Sequence, residues 1–150
     1  MAYLEFLKSA RGRIVDDLLI LKAKGTVATS MVGENPVGTD YYIDVGPGRT
    51  RGDVVTNVYA SSYVSGGTSL VFRLQGSLNA AFSTYQDLQI LEIGDSTQIG
   101  GSLDLTTGRY VQPFTNDLDG TVYRYLRHYA TIASSGTGWQ YECYLSNIAS

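Results

Sequence analysis

The chain has one cysteine, one histidine and three prolines in 150 residues. A lone cysteine, Cys143, excludes an intramolecular disulfide and a cysteine-built zinc cluster. A lone histidine, His128, excludes any metal site built on two imidazoles. A nucleophile–histidine–acid triad would have to use that one ring. Charged residues make up 17% of the chain, below the roughly 25% usual for soluble domains. No run approaches the ~18 consecutive apolar residues of a membrane-spanning helix. Met1-Ala2-Tyr3-Leu4-Glu5 has no basic segment leading into an apolar one, so no secretory signal peptide is expected. The net charge is −3 and no clustered basic footprint is present, which argues against duplex nucleic acid as a partner.

Abundance tells the other half. Hydrophobic residues make up 43%, enough for a packed core and too many for a disordered chain. Glycine (17) and tyrosine (12) are plentiful, which is the palette of strands and tight turns. The length suits one domain. Charge is uneven along it. Lys8, Arg11, Arg13, Lys22 and Lys24 outweigh Glu5, Asp16 and Asp17, so the first 24 residues carry +2 and the remainder −5. That asymmetry sets residues 1–17 apart as an N-terminal arm or short helix, ahead of a single domain over 18–150.

From residue 18 onward the pattern is that of strands. Leu18 to Leu21 runs into Gly25 to Thr29, and Asp40 to Val45 stops at Gly46-Pro47-Gly48. Asp53 to Ser62 and Ser69 to Gln75 flank a Gly-Gly loop, which predicts a hairpin. Leu88 to Ile93 is another strand, and 100–119 reads as mostly loop with a weak strand at Arg109 to Val111. Thr121 to Ala133 is the longest candidate. Trp139 to Ser146 alternates cleanly: Trp139, Tyr141, Cys143 and Leu145 share one face, Gln140, Glu142, Tyr144 and Ser146 the other. About eight strands with turns between them, and no βαβ alternation, predict an all-β antiparallel sandwich, jelly roll or barrel.

Few residues carry chemistry. His128 lies mid-strand with Leu126 and Ala130 on its face, the setting of a packed histidine. Cys143 shares the Trp139 and Leu145 face, where cysteine acts as a small hydrophobe. Val45-Gly46-Pro47-Gly48-Arg49 lacks the spacing of a phosphate loop. Asn116-Asp117-Leu118-Asp119-Gly120 lacks the full spacing and terminal Glu of a calcium loop. Arg51-Gly52-Asp53 reads as a turn opening a strand. No cofactor or metal site is expected. The informative stretch is Tyr123 to Tyr129. Strict alternation puts Tyr123, Tyr125, Arg127 and Tyr129 on one face and Leu126, Ala130 and Ile132 on the other. A Tyr–Arg stripe is the composition of a protein contact surface, tyrosines equally cover the second face of a sheet within a fold, and tyrosine also offers stacking platforms for sugars.

Three pieces carry a family resemblance: Asp40 to Gly46, Leu70 to Tyr85, and Arg124-Tyr125-Leu126-Arg127-His128-Tyr129 ahead of a final hairpin. Together they resemble the jelly-roll capsid cement, or head decoration, proteins of tailed bacteriophages. The likeness covers 40–147 in scattered pieces, and the lysine-bearing N-terminus departs from it. The resemblance implies a jelly-roll-like sandwich with no catalytic activity. It also implies a homo-dimer or homo-trimer on the outer capsid surface of the virion, clamping the major capsid protein. The candidate contact residues are then Tyr123, Tyr125, Arg127 and Tyr129, with Lys8, Arg11 and Arg13 in the arm. A carbohydrate-binding module or receptor-binding fibre tip is the alternative. An enzyme on the same scaffold, a lyase or cupin-like isomerase, would need a convergent polar site.

Overall fold

The structure is a computed structural model that describes residues 19–27, 30–34, 40–60, 69–94, 107–133 and 139–149. Residues 1–17, and with them Lys8, Arg11 and Arg13, lie outside the described residues. Within them the fold is all-β, with no α-helix.

Nine of the eleven strands among the described residues build two antiparallel sheets, and the other two pair with each other. In chain order the strands are β1 (Ile20–Val27), β2 (Met31–Val32), β3 (Ile43–Asp44), β4 (Arg51–Ala60), β5 (Ser69–Ser77), β6 (Gln86–Gly94), β7 (Gly108–Thr115), β8 (Asp117–Leu118), β9 (Thr121–Val122), β10 (Tyr125–Ala133) and β11 (Trp139–Ala149). One sheet has the order β1-β11-β4-β7; the other has β2-β10-β5-β6, with β3 also on β10. The pairs nest: β1 with β11, β2 and β3 with β10, β4 with β7, β5 with β6. A chain folded back on itself in four nested pairs and then wrapped into two layers is a jelly roll.

Alternation explains the layers. On β11 the side chains of Trp139, Tyr141, Cys143 and Leu145 are all buried between the sheets. On β10 the buried set is Leu126, His128 and Ala130. The core forms two clusters, each fed by both sheets. Leu21, Val54, Leu74, Phe114, Leu126 and Leu145 centre one. Val58, Leu70, Phe72, Ile93, Trp139 and Tyr141 centre the other. Burying such side chains gives about 1.5–3 kcal/mol each before entropy is charged against it.

Five expectations are corrected. The Gly-Gly loop does not join a hairpin, because β4 pairs with β11 and β7 while β5 pairs with β10 and β6. The final two strands also part, β10 to one sheet and β11 to the other. Nested pairing explains both: β4 and β5 fall to opposite layers, and so do β10 and β11. The weak strand at Arg109 is the eight-residue β7. It forms a sheet edge, where Pro113 removes no ladder bond the fold needs, and Phe114 is its one buried side chain. The long run Thr121 to Ala133 is broken at Tyr123 and Arg124 into β9 and β10. Tyr144 differs too: it is buried although it lies on the face opposite the core. Its neighbours there are Ile20 and Val55, an apolar row across three strands.

Candidate functional site: the outer face of the five-stranded sheet

Tyr125, Arg127 and Tyr129 stand together on the outward side of β10, as alternation requires. Tyr123 does not join them. Its Cβ and ring lie within 3 Å of where a side chain at Gly76 would start, beside Leu88, on the Leu126 side of the sheet. The break between β9 and β10 resets the alternation. Tyr123 is instead tied by its backbone, donating N–H to Asn116 O at 2.7 Å and accepting from Asn116 Nδ2 at 2.9 Å.

Arg127 is the centre of the face. Its guanidinium lies 4.4 Å over the Phe82 ring and 5.1 Å from that of Tyr85. Its Nε donates to Gln75 Oε1 at 2.9 Å. Gln75 Nε2 donates in turn to Asp87 Oδ1 at 3.1 Å, and Asp87 also faces Arg73 at 3.4 Å. Arg73 reaches Thr131 Oγ1 at 2.6 Å. This chain of polar contacts runs across β10, β5 and β6, so the outer side chains are held by each other as well as by the sheet. Desolvation lowers the Arg127 pKa, and Tyr85, Tyr129 and Asp40 push it back up. No carboxylate lies within ion-pairing distance of Arg127 among the described residues, whereas Arg49, Arg73 and Arg124 each have one.

The aromatic part is assembled from distant segments. Tyr42, just before β3, meets Tyr125 edge-on at 5.6 Å and Phe82 at 6.2 Å. Phe82 is held at φ +50, an uncommon backbone state for a bulky side chain. Such a state costs on the order of 1–3 kcal/mol and persists only where its surroundings enforce it. Here the β5–β6 loop does so. Phe82 N–H donates to Asn79 O at 3.1 Å, Asn79 Nδ2 donates to Ser83 Oγ at 2.9 Å, and Ser77 Oγ donates to Thr84 O at 2.7 Å. Beside these rings Arg124 grips Asp44 with Nε at 2.8 Å and Nη2 at 2.9 Å. Those bonds, with one from Gly46 N–H, hold the Asp44 carboxyl below its ordinary range.

A hollow of about 200 Å3 opens at this end of the face, lined by Asp40, Tyr41, Tyr42, Phe82 and Arg127 among others. A larger one of about 350 Å3 lies at the Arg49 and Arg51 end, where Arg49 is already paired to Asp117 at 2.7 Å.

The other candidates are structural. His128 is buried, with Nε2 2.9 Å from Tyr141 Oη and its ring against Phe72. Burial, then the Lys22 charge, lowers its pKa to about 3, so the ring is neutral. Lys22 is itself buried, 5.0 Å over the Tyr141 ring, with its pKa lowered by desolvation. Cys143 is buried and accepts from Thr56 Oγ1 at 3.7 Å. Burial pushes its thiol up to about 12. Asp119 and Gly120 both have positive φ and turn β8 into β9 as a two-residue hairpin, which accounts for the stretch compared above with a calcium loop. Among the described residues no group of three or more His, Cys, Asp or Glu is placed to hold a metal ion. Arg51-Gly52-Asp53 is not a turn but the first part of β4, with Asp53 accepting from Asn147 Nδ2 at 2.7 Å.

Sequence reasoning missed Tyr42, Phe82 and Tyr85. The signal within reach was the set of turn-forming residues Ser77, Asn79 and Ser83 around Phe82, which marks a loop. No protein-family model and no curated protein sequence matches the chain.

Proposed function

We propose that this protein is a structural module without catalysis, which docks onto another protein through the Tyr–Arg face of its five-stranded sheet. The observation that carries the reading is the Arg127 stack: an arginine over two rings, braced through Gln75 and Asp87, with no ion-paired carboxylate among the described residues. Arginine and tyrosine on a rigid support are what dominate binding energy at protein contacts. The chain's only imidazole is neutral and buried, and its only thiol is buried and protonated, so neither is presented for chemistry. The family resemblance sharpens the reading to capsid cement on a tailed-phage head. In that role a homo-dimer or homo-trimer sits on the outer shell and ties neighbouring copies of the major capsid protein. Repetition over the shell would turn modest contacts into a strong clamp.

Co-sedimentation with expanded capsids tests it. Saturable binding at a fixed ratio to the capsid subunit is expected. Arg127→Ala and Tyr129→Ala should each weaken it by on the order of 2 kcal/mol, the cost of a truncated central contact. Truncation of residues 1–17 reports on Lys8, Arg11 and Arg13 in the same assay. Absence of binding to both immature and expanded shells would overturn the cement role, and wild-type binding by both variants would move the contact off this face.

A further inference from the structure

We propose that the hollow between Asp40, Tyr42, Phe82 and Arg127 is a subsite for one ring of a neutral carbohydrate. This goes beyond the cement reading and does not depend on it.

The size limits the occupant. About 200 Å3 is below the roughly 300–1,000 Å3 of sites for drug-sized ligands, which leaves room for a single ring. The charges limit its chemistry. The Asp40 carboxylate and the Arg127 guanidinium line the same hollow. Asp40 acts on the Arg127 charge electrostatically, but no ion pair joins the two. An inorganic anion drawn to Arg127 meets Asp40, and a cation drawn to Asp40 meets Arg127. A purely apolar ring would strip water from both charges and pair neither, which is costly. A polyol suits both: one hydroxyl donates to the carboxylate and another accepts from the guanidinium. Hydrogen bonds to charged groups of this kind are the stronger sort.

The remaining walls suit the C–H face of a sugar. Tyr42, Phe82, Ala80 and Ala81 are apolar or aromatic. Tyr42 is 41% exposed, so part of its ring is open to a ligand. The rings are also fixed in advance, Tyr42 by Tyr125 and Phe82, and Phe82 by the Asn79 loop. A prepared site loses less entropy when it fills.

Saturation-transfer NMR on the full chain tests the proposal, with glucose, galactose, mannose and N-acetylglucosamine as probes and acetate and phosphate as ionic controls. At least one sugar should show transfer to its ring protons with an affinity in the millimolar range, the level of a one-ring contact. Asp40→Asn, at an exposed position, should weaken it at least tenfold without lowering the melting temperature, and Tyr42→Ala should weaken it at least tenfold while the protein still unfolds cooperatively. No transfer to any sugar would overturn the proposal. So would acetate or phosphate competing the sugar away, or both variants binding as the wild type does. None of these outcomes depends on capsid binding, which is read separately by sedimentation.

Discussion

Acid should unfold this protein through His128 before it reaches the carboxylates. The ring is fully buried in the sandwich, facing Tyr141 on β11, Phe72 on β5 and the Lys22 charge on β1. Its folded pKa is about 3, against about 6.5 in an unfolded chain. The unfolded state therefore binds the extra proton first, and stability falls as pH falls through 6.5 towards 3. It is fully present above the unfolded value. The whole span is worth about 5 kcal/mol, at about 1.4 kcal/mol per unit. By about pH 5 some 2 kcal/mol should already be gone, a drop in melting temperature of roughly 4–8 °C for a chain of this size. Carboxylates titrate lower, around 4, and Asp44 lower still. His128 is the only histidine, so no second imidazole shares the window. Urea unfolding from about pH 7.5 to 5 measures the slope. His128→Leu should be less stable at neutral pH, having lost the Tyr141 hydrogen bond, yet nearly flat across that window. A flat wild-type profile, or an equal slope in the variant, would refute the reasoning.

Three further outcomes follow from single contacts. Asn116 is wholly buried and its side chain satisfies Thr50 N–H, Gly48 O and Tyr123 O. Asn116→Leu should cost about 3 kcal/mol or more in denaturant unfolding, because it strands those backbone groups; a loss under about 1 kcal/mol would show that water replaces the amide. At Gly33 a Cβ would sit 2.1 Å from the Leu21 carbonyl oxygen, a backbone atom with no rotamer to yield. Gly33→Ala should therefore lower stability by about 3 kcal/mol, read as a fallen melting temperature, and a neutral result would mean that β1 moves away freely. The Cys143 thiol, pushed up to about 12 and buried, should resist a thiol reagent in the native protein and react fully in denaturant, since only the thiolate attacks.

What could be read from the chain was whatever depends on period alone. Trp139 to Leu145 showed its buried face because two-residue alternation maps directly onto a sandwich wall. His128 showed as core for the same reason, sharing its face with Leu126 and Ala130. Sheet membership was hidden. Nothing in Asp53 to Gln75 says that the chain crosses from one layer to the other, because both strands bury apolar residues either way. The edge strand β7 was hidden because it buries little beyond Phe114. Tyr123 was misassigned because alternation was carried through a break that only the β8–β9 hairpin and Asn116 impose. The partners of Arg127 could not be found by spacing at all. Tyr42, Phe82 and Tyr85 reach it by wrapping, from 85, 45 and 42 positions earlier in the chain.

The arrangement on β10 gives adjacent residues opposite surroundings. His128 points inward and is spent on Tyr141; Arg127 points outward and is spent on Phe82, Tyr85 and Gln75. Because β10 is a central strand, paired to β5 over nine residues and to β2 and β3 on its other side, its ladder holds both directions fixed. An outward side chain can then change without reopening the core, since the main-chain bonds and the inward set are untouched. Phe82 shows the reverse dependence. It is buried and strained, yet it packs beneath an outward arginine. A loop that stores strain to carry a ring under an exposed cation adds little to the core, which already has two filled clusters. Its effect is to hold the guanidinium at a set height and angle. The rigidity of the Arg127 face therefore comes from the β5–β6 loop as well as from the sheet ladder.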